Sequence, residues 1–406
     1  MDRSREMQAL LDSFGGNAWK LYQETGIMLP IAGGADGYNE TADILTRTVD
    51  GVPFEQLYGE IVDALALINA NRSPLIERLT FPVTAPFEEV MPITEEDFEE
   101  ADEYAQPVGI RLGRPWNMGF DMRYYDLAVR YTFRFLGRAR SGQIRALLAT
   151  AVEGDRRLVA TKVLNQLFTN QNKAATLEDT GTAVTVYPLY NGDITTLPAV
   201  PPTWKSYSHL NTHTHYLASG GATVVSGDLD DMYDHIYHHG HAEGAEMLLF
   251  VNRVQAKVIR KFKVSASDDY DFIPAVGTDG ATFLGTLVGS LSTAPSDGLD
   301  TFPGFIGNYG PWSVIQEDYI PSGYMVGLAS GGKYSIRNPI GLREHENEQL
   351  RGLKLIPEFE RYPLREAFYH HALGTGVRYP GAGVVMKITA GSYDVPTVSI
   401  SGPGGR

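Results

Sequence analysis

The sequence predicts an α+β fold made of many short strands and a few amphipathic helices. Residues 54–68 and 141–170 place apolar side chains at the i, i+3, i+4 and i+7 positions of a helix. The chain also contains 43 Gly and 23 Pro in 406 residues, which favours short strands and loops over a helical bundle. At 247–262 a buried strand is followed at once by a capped helix. This order of elements is typical of mixed helix and sheet packing.

Two helices are predicted near the N-terminus. The apolar positions of residues 1–15 have helical spacing, and Gly15 and Gly16 end that helix. Pro53 begins the second helix, over 54–68, at a position where the missing N–H costs nothing. Its apolar residues share one face, so we expect another part of the protein to cover that face.

Residues 75–122 predict a long hairpin and no helix. The segments 79–83 and 108–112 alternate in polarity like strands. Between Glu88 and Glu103 there are nine acidic residues and no basic residue. Such a block alone indicates a solvated loop. With its flanking strands it indicates an arm that reaches a neighbouring molecule, because structureless connections beyond about 15 residues are uncommon within a compact domain.

The charge reverses in the next segment. Between Arg123 and Arg157 there are eight Arg and three acidic residues, and 141–170 within it predicts the longest helix, covered on more than one side. The acidic arm and the basic segment can pair between copies or within one copy. The candidate inter-subunit residues are Glu95, Glu96, Asp97, Glu99, Glu100, Arg130, Arg134 and Arg138.

The second half of the chain predicts strands joined by turns, with two further helices. Asp228 can cap a helix that ends at Gly240, and Asn252 can cap a helix over 253–262. The predicted strands lie at 247–251, 312–316, 324–330 and 383–388.

Composition excludes several classes of protein. The 34 Lys and Arg against 49 Asp and Glu give a net charge of −15. A general nucleic-acid binder needs a surplus of basic residues, so contact with DNA should be weak. The absence of Cys removes disulfides, thiolate zinc sites and cysteine nucleophiles. With no apolar run of about 18 residues and no secretory signal pattern, we expect a soluble protein made in a cytoplasm.

Histidine gives the only lead toward a metal site. His213 and His215 lie where a strand is predicted, and His235 and His239 have the i, i+4 spacing that places two imidazoles on one helix face. Imidazoles in a last helical turn also stabilise its negative end without any metal. No Glu lies inside that turn, and no motif ties the pairs together. We therefore expect no metal and no cofactor, with these four residues as the candidates if a metal site exists.

No catalytic signature is present in the sequence. The Gly-x-Ser-x-Gly, P-loop and dinucleotide-binding patterns do not occur, and the acidic block lacks the ligand spacing of a calcium loop. No nucleophile, base and orienting residue can be nominated together. We expect that the protein is not an enzyme.

The order of elements resembles the major capsid proteins of tailed bacteriophages with the Hong Kong 97-type fold. The resemblance covers most of residues 75–395 and is one of overall pattern. It is carried by the hairpin at 76–122, the helix at 141–170, the stretch from Pro201-Pro-Thr-Trp to His213-Thr-His-Tyr216, and the segments MLLFVNRVQAKVIRKF, VIQEDYIPSGYMVGLAS and REAFYHHALGTGVRYPGAGVVMKIT.

The resemblance implies a division of the chain and a function. It implies an N-terminal arm at 1–75, an extended loop at 76–122, a peripheral domain at 123–222 and 365–406 with the long helix as its spine, and an axial domain at 223–364. It implies hexamers and pentamers in an icosahedral head around double-stranded DNA, assembled in the bacterial cytoplasm and located in the virion. The implied partners are further copies of the chain and scaffolding, portal and decoration proteins, with weak contact to packaged DNA and no membrane.

The chain departs from the family at one point, and two alternative functions stay open. Some members cross-link through a lysine of the extended loop, but this chain has no lysine between Lys20 and Lys162. We therefore expect non-covalent contacts to strengthen the shell. The alternatives are the shell protein of an encapsulin-type nanocompartment, which would hold a cargo enzyme, and a His-based metallohydrolase.

Overall fold

The computed structural model describes residues 46–70, 72–90, 100, 109, 116–177, 181–192, 204–205, 207, 209–210, 212–275, 304–357 and 364–398. Two compact units are present. The smaller unit holds the described parts of Met1–Leu67, Ala128–Ala151 and Leu355–Phe368, and the larger unit holds those of Ile68–Leu127, Val152–Lys354 and Tyr369–Arg406. The helix predicted at 1–15 lies outside the described residues, and the four-region division implied by the resemblance stays a prediction.

The described residues form six α-helices, and four of them lie where the sequence predicts a helix. They are α1 Phe54–Ala70, α2 Pro74–Leu79, α3 Phe133–Leu136, α4 Ser141–Phe168, α5 Ser226–Tyr237 and α6 Arg253–Ile259. Helices α1 and α4 confirm the helices predicted at 54–68 and 141–170. Helix α2 corrects the expectation of no helix in 75–122. It forms because Pro is favourable in a first turn and because Leu75, Ile76 and Leu79 are buried. No described helix combines the length and the hydropathy needed to cross a bilayer.

The first turns of α5 and α6 are capped in different ways. The side-chain oxygen of Asn252 accepts a hydrogen bond from Val254 N at 3.1 Å, which confirms the predicted cap of α6. Asp228 is not the N-cap of α5, because Val225 occupies that position. The Asp228 carboxylate instead reaches back and accepts from Val225 N at 2.8 Å. It therefore still satisfies a backbone donor at the helix start.

Sixteen strands lie in the described residues. They are β1 Thr80–Val83, β2 Phe87–Val90, β3 Trp116–Gly119, β4 Asp121–Thr132, β5 Lys173–Thr176, β6 Ala183–Val186, β7 Tyr216–Ala218, β8 Glu246–Val251, β9 Ile273–Pro274, β10 Phe305–Tyr309, β11 Trp312–Gln316, β12 Tyr324–Ser330, β13 Ile340–Glu344, β14 Lys354–Pro357, β15 Leu364–Val377 and β16 Gly383–Lys387. One sheet has the order β7-β16-β12-β8-β11-β10-β9, and another has β1-β13-β15-β14 with β4 also on β15. Two-stranded sheets pair β2 with β3 and β5 with β6. Strands β8, β11, β12 and β16 confirm the predicted strands.

The predicted hairpin is formed at its base by other strands than expected. Strands β2 and β3 pair antiparallel, with Phe87 opposite Gly119. Strand β1, which was predicted as one side of the hairpin, instead pairs parallel with β13, where Thr80 lies opposite Ile340. Alternating polarity predicts a strand but not its partner, and here the partner is distant in the chain. Of the other predicted side, 108–112, only Gly109 lies within the described residues.

The seven-stranded sheet is apolar on both faces. Along β8, Leu248 and Phe250 belong to one buried cluster, which also contains the C-terminal half of α4. Leu249 and Val251 belong to the other, which contains the apolar face of α5. Successive side chains of a strand point to opposite faces, so a continuous apolar run is what a strand covered on both sides requires. This packing fixes α5, and with it the residues that follow α5, against the sheet.

Candidate functional site

Four imidazoles converge in the larger unit. His213 and His215 lie in the segment that leads into β7, and His238 and His239 directly follow the last residue of α5. One ring nitrogen from each residue lies within 4.8 Å of the other three. The fold therefore joins His213 and His215 to His239, which no sequence motif connected, and adds His238.

Five of the six distances between these nitrogens are short and similar, and the sixth, between His215 and His238, is within 4.8 Å. The Nε2 atom of His239 lies 3.0 Å from that of His213, 3.2 Å from that of His215 and 3.1 Å from that of His238. The Nε2 atom of His213 lies 3.2 Å from that of His238 and 3.3 Å from that of His215. A tetrahedral zinc with Zn–N bonds of about 2.0–2.1 Å holds its ligand nitrogens about 3.3–3.4 Å apart. Five of the six distances are thus close to those between the ligands of a tetrahedral metal ion.

Backbone carbonyls orient two of the four rings. The Nδ1 atom of His213 lies 2.7 Å from Leu210 O, and that of His215 lies 2.7 Å from Gly383 O. A carbonyl oxygen can only accept a hydrogen bond, so each Nδ1 carries the hydrogen and donates. In a neutral imidazole the Nε2 atom then carries the lone pair. Both lone pairs lie at the centre of the cluster.

Burial keeps the rings of His213, His215 and His238 uncharged at neutral pH. His215 is fully buried and His239 is 4% exposed, while His213 and His238 are half-buried. Desolvation lowers the pKa of His213 to about 4 and that of His238 to about 3, and neighbouring imidazoles lower both further. Desolvation also holds the pKa of His215 well below its ordinary value. Neutral imidazoles are the form that binds metal ions.

The backbone around the cluster is held on several sides. His215 N donates to Tyr190 O at 2.8 Å, and His215 O accepts from Val385 N of β16 at 2.8 Å. Gly240, directly after His239, has a φ of +77°, which only glycine adopts easily. A Cβ there would lie 2.8 Å from the Trp204 ring. The turn after α5 therefore depends on glycine both for its backbone angle and for space.

The structure places three of the four sequence candidates together, and the His235 ring lies beside them, with its centroid 5.6 Å from that of His215. His213, His215 and His239 join the cluster, with His238 as the fourth member. The Nδ1 atom of His235 instead lies 2.7 Å from Asp231 O. The i, i+4 argument does not apply, because α5 ends at Tyr237 instead of Gly240 and His239 lies beyond the helix. A strand was expected at His213 and His215. The segment that holds them instead precedes β7, which begins at Tyr216.

His209 was not singled out by the sequence and lies beside the cluster. Its ring centroid is 4.4 Å from that of His213 and 4.5 Å from that of His239. Both of its ring nitrogens are buried and have no hydrogen-bond partner among the described residues. Its position in a loop, without helical or strand spacing, gave no sequence signal.

The candidate inter-subunit residues are only partly described. Glu95, Glu96, Asp97 and Glu99 lie outside the described residues, whereas Glu100, Arg130, Arg134 and Arg138 are exposed. Within the described part of the chain, neither Arg134 nor Arg138 forms an ion pair. By contrast, Arg145 of the same basic segment is paired with Glu60 at 2.9 Å.

An exposed aromatic surface accompanies these arginines in the smaller unit. Tyr131 and Phe135 stack with ring centroids 5.7 Å apart. They line an open groove together with Arg130, Thr132, Gln143, Ala146, Leu147 and Thr150. Phe135 and Leu147 are each 36% exposed. We call these residues the Tyr131 groove.

The comparisons with known proteins include a solved structure with substantial sequence identity. Neither a scan against protein-family models nor a search of curated proteins found a match. A chain in a solved structure of Mycobacterium phage Patience is 36% identical with a TM-score of 0.65, and the match covers 87% of this chain and 93% of that chain. The mature capsid of bacteriophage PhiM1 matches with 9% identity, a TM-score of 0.45 and coverage of 79% and 88%. The holo-SrpI encapsulin complex from Synechococcus elongatus PCC 7942 matches with 14% identity, a TM-score of 0.44 and coverage of 82% and 97%.

The fold and the first of these matches define a capsid-forming protein of mixed helix and sheet. The chain belongs to the major capsid proteins of tailed bacteriophages with the Hong Kong 97-type fold, as its sequence resemblance implied. Its location is the virion.

Proposed function

We propose that this chain assembles as hexamers and pentamers into the icosahedral head that encloses the double-stranded DNA of a tailed phage. The observation that carries the proposal is the 36% identity with the Mycobacterium phage Patience chain over 87% of this one. In this proposal α4 is the spine helix of a peripheral domain, and 223–364 form an axial domain. Scaffolding, portal and decoration proteins are the expected partners.

The smaller unit supports the proposal because its described part buries few apolar side chains and leaves several large ones exposed. Its hydrophobic cluster contains three buried residues, Leu57, Ala139 and Ile144. On the same α1 helix, Tyr58 is 47% exposed and Val62 is 43% exposed. Large apolar side chains at the surface indicate an interaction site when they lie together. We therefore assign this helix face to contacts with neighbouring copies.

The Tyr131 groove supplies a second candidate contact. Aromatic residues and Arg are enriched at protein interfaces and carry much of their binding energy. Tyr131 and Phe135 lie beside Arg134, which has no ion-pair partner within the described residues. An acidic segment of a neighbouring copy, such as 95–100, would complement this surface.

Electron microscopy of the purified protein tests the proposed function. Closed shells with six-fold and five-fold capsomers are expected, and DNA should be found inside particles recovered from infected cells. A monomer that stays single at high concentration would contradict the proposal. A shell that holds a cargo enzyme and no genome would favour the encapsulin alternative. We propose a structural and not an enzymatic role, and hydrolase activity lost on substitution of His213 would contradict that part.

A further inference from the structure

We infer that His213, His215, His238 and His239 bind one divalent transition-metal ion of the Zn²⁺ type, and that this ion is structural. The site would tie the segment before β7 to the end of α5. It is independent of the proposed shell contacts, because all four residues belong to the larger unit.

The Nε2 lone pairs of two of the rings point into the cluster. His213 and His215 donate through Nδ1 to Leu210 O and Gly383 O, so their neutral Nε2 atoms are acceptors. These two acceptors lie only 3.3 Å apart. Two acceptors repel each other unless a hydrogen-bond donor or a positive charge lies between them. The hydrogen bonds to carbonyl oxygens are also the usual second contact of metal-binding histidines.

A metal ion accounts for more of the short nitrogen–nitrogen distances than a proton does. A single proton can bridge one pair of nitrogens. Five different Nε2 pairs in this cluster lie between 3.0 and 3.3 Å. An ion at the centre interacts with all four nitrogens at once, and the spacing is close to the roughly 3.3–3.4 Å of a tetrahedral zinc site. A metal ion therefore accounts for the whole cluster.

The ligand type selects the class of metal. The four ligands are imidazoles, which suit Zn²⁺, Cu²⁺ and Ni²⁺, whereas Mg²⁺ and Ca²⁺ prefer oxygen ligands. The half-exposed rings of His213 and His238 give an ion access from solvent, while the buried rings of His215 and His239 form the inner side. We take Zn²⁺ as the probe because it accepts tetrahedral coordination readily.

The number of ligands selects the role. Catalytic zinc sites keep a coordination position open for water or substrate, whereas structural sites are filled by four protein ligands. Four imidazoles fill a tetrahedral ion, so the site has no position for a reacting group. Metal binding in such sites contributes directly to the stability of the fold.

The test measures Zn²⁺ binding by the purified full chain after treatment with a chelator. Calorimetric titration is expected to show about one equivalent of Zn²⁺ per chain and a higher unfolding temperature with Zn²⁺ than without it. Co²⁺ in place of Zn²⁺ should give the visible absorption of tetrahedral coordination. Absence of stoichiometric binding, or an octahedral Co²⁺ spectrum, overturns the inference.

Matched variants separate this site from general binding by histidines. His238→Gln and His213→Gln should weaken Zn²⁺ binding by at least about 100-fold. His235→Gln is the control, because the His235 ring lies beside the cluster, 5.5 Å from the His238 ring between centroids, but its nitrogens are not among the four that converge. Circular dichroism of the chelated forms checks that each variant folds, and the Co²⁺ spectrum of the wild type decides the question if one does not. Equal loss of binding in His235→Gln and His238→Gln overturns the inference.

Discussion

Two leucines of helix α4 provide a test that separates the stability of the subunit from the strength of the shell. Leu164 is fully buried in the large cluster beneath the seven-stranded sheet. Leu147 is 36% exposed and lines the Tyr131 groove. Leu→Ala exchanges one good helix former for another, so the helix itself is not weakened in either variant. The difference between the variants therefore measures burial alone.

The expected magnitudes differ clearly. Leu164→Ala removes a side chain from a filled core and should lower the free energy of unfolding by about 2–5 kcal/mol. Leu147→Ala should change the free energy of unfolding of the disassembled subunit by less than about 1 kcal/mol. If Leu147 meets a neighbouring copy, its loss should raise the protein concentration needed for assembly about tenfold, equivalent to about 1.4 kcal/mol per contact.

Denaturant titration of the disassembled protein and light scattering during assembly measure the two quantities separately. The reasoning is refuted if Leu147→Ala destabilises the subunit as much as Leu164→Ala. It is also refuted if Leu147→Ala assembles at the same concentration as the wild type.

Three further predictions follow from single side chains. Arg134→Glu should lower the stability of assembled heads and weaken its dependence on salt, measured by heating heads at several salt concentrations; unchanged curves would contradict the interface. Gly341→Ala should lower the free energy of unfolding by about 1–3 kcal/mol, because a Cβ there would overlap the Phe120 ring; a wild-type denaturation midpoint would contradict this expectation. Tyr216→Phe should cost about 1–3 kcal/mol, because the buried Leu189 N donates to its hydroxyl at 3.1 Å; an unchanged midpoint would mean that water replaces the hydroxyl.

The parts of the fold that could be predicted are those set by local pattern. Helix α4 and strand β12 follow from apolar spacing, since the first half of α4 has a helical stripe and β12 is an apolar run from Tyr324 to Ala329. The cap of α6 follows from Asn252, whose short side chain reaches the first turn of the helix. In each case the residues that determine the element lie within or beside it.

The parts that could not be predicted depend on residues far apart in the chain. The parallel pairing of β1 with β13 joins Thr80 to Ile340, and alternation within β1 contains no information about that partner. The prediction of the histidine cluster was wrong for a similar reason. Its fourth member is His238 and not His235, because the helix ends at Tyr237 and the chain then turns. A shift of three residues in a helix end was enough to select the wrong imidazole.

The chain therefore has two distinct candidate sources of strength, one inside the subunit and one between subunits. It contains no Cys, and no Lys between Lys20 and Lys162, so neither a disulfide nor a cross-link from a lysine of the extended loop can supply it. Inside the larger unit, four imidazoles provide a cross-link that needs no thiol. Between subunits, the Tyr131 groove is the proposed contact surface, and an ionic contact there would depend on salt. A chelator should thus lower the unfolding temperature of the subunit, whereas added salt should act on the assembled head.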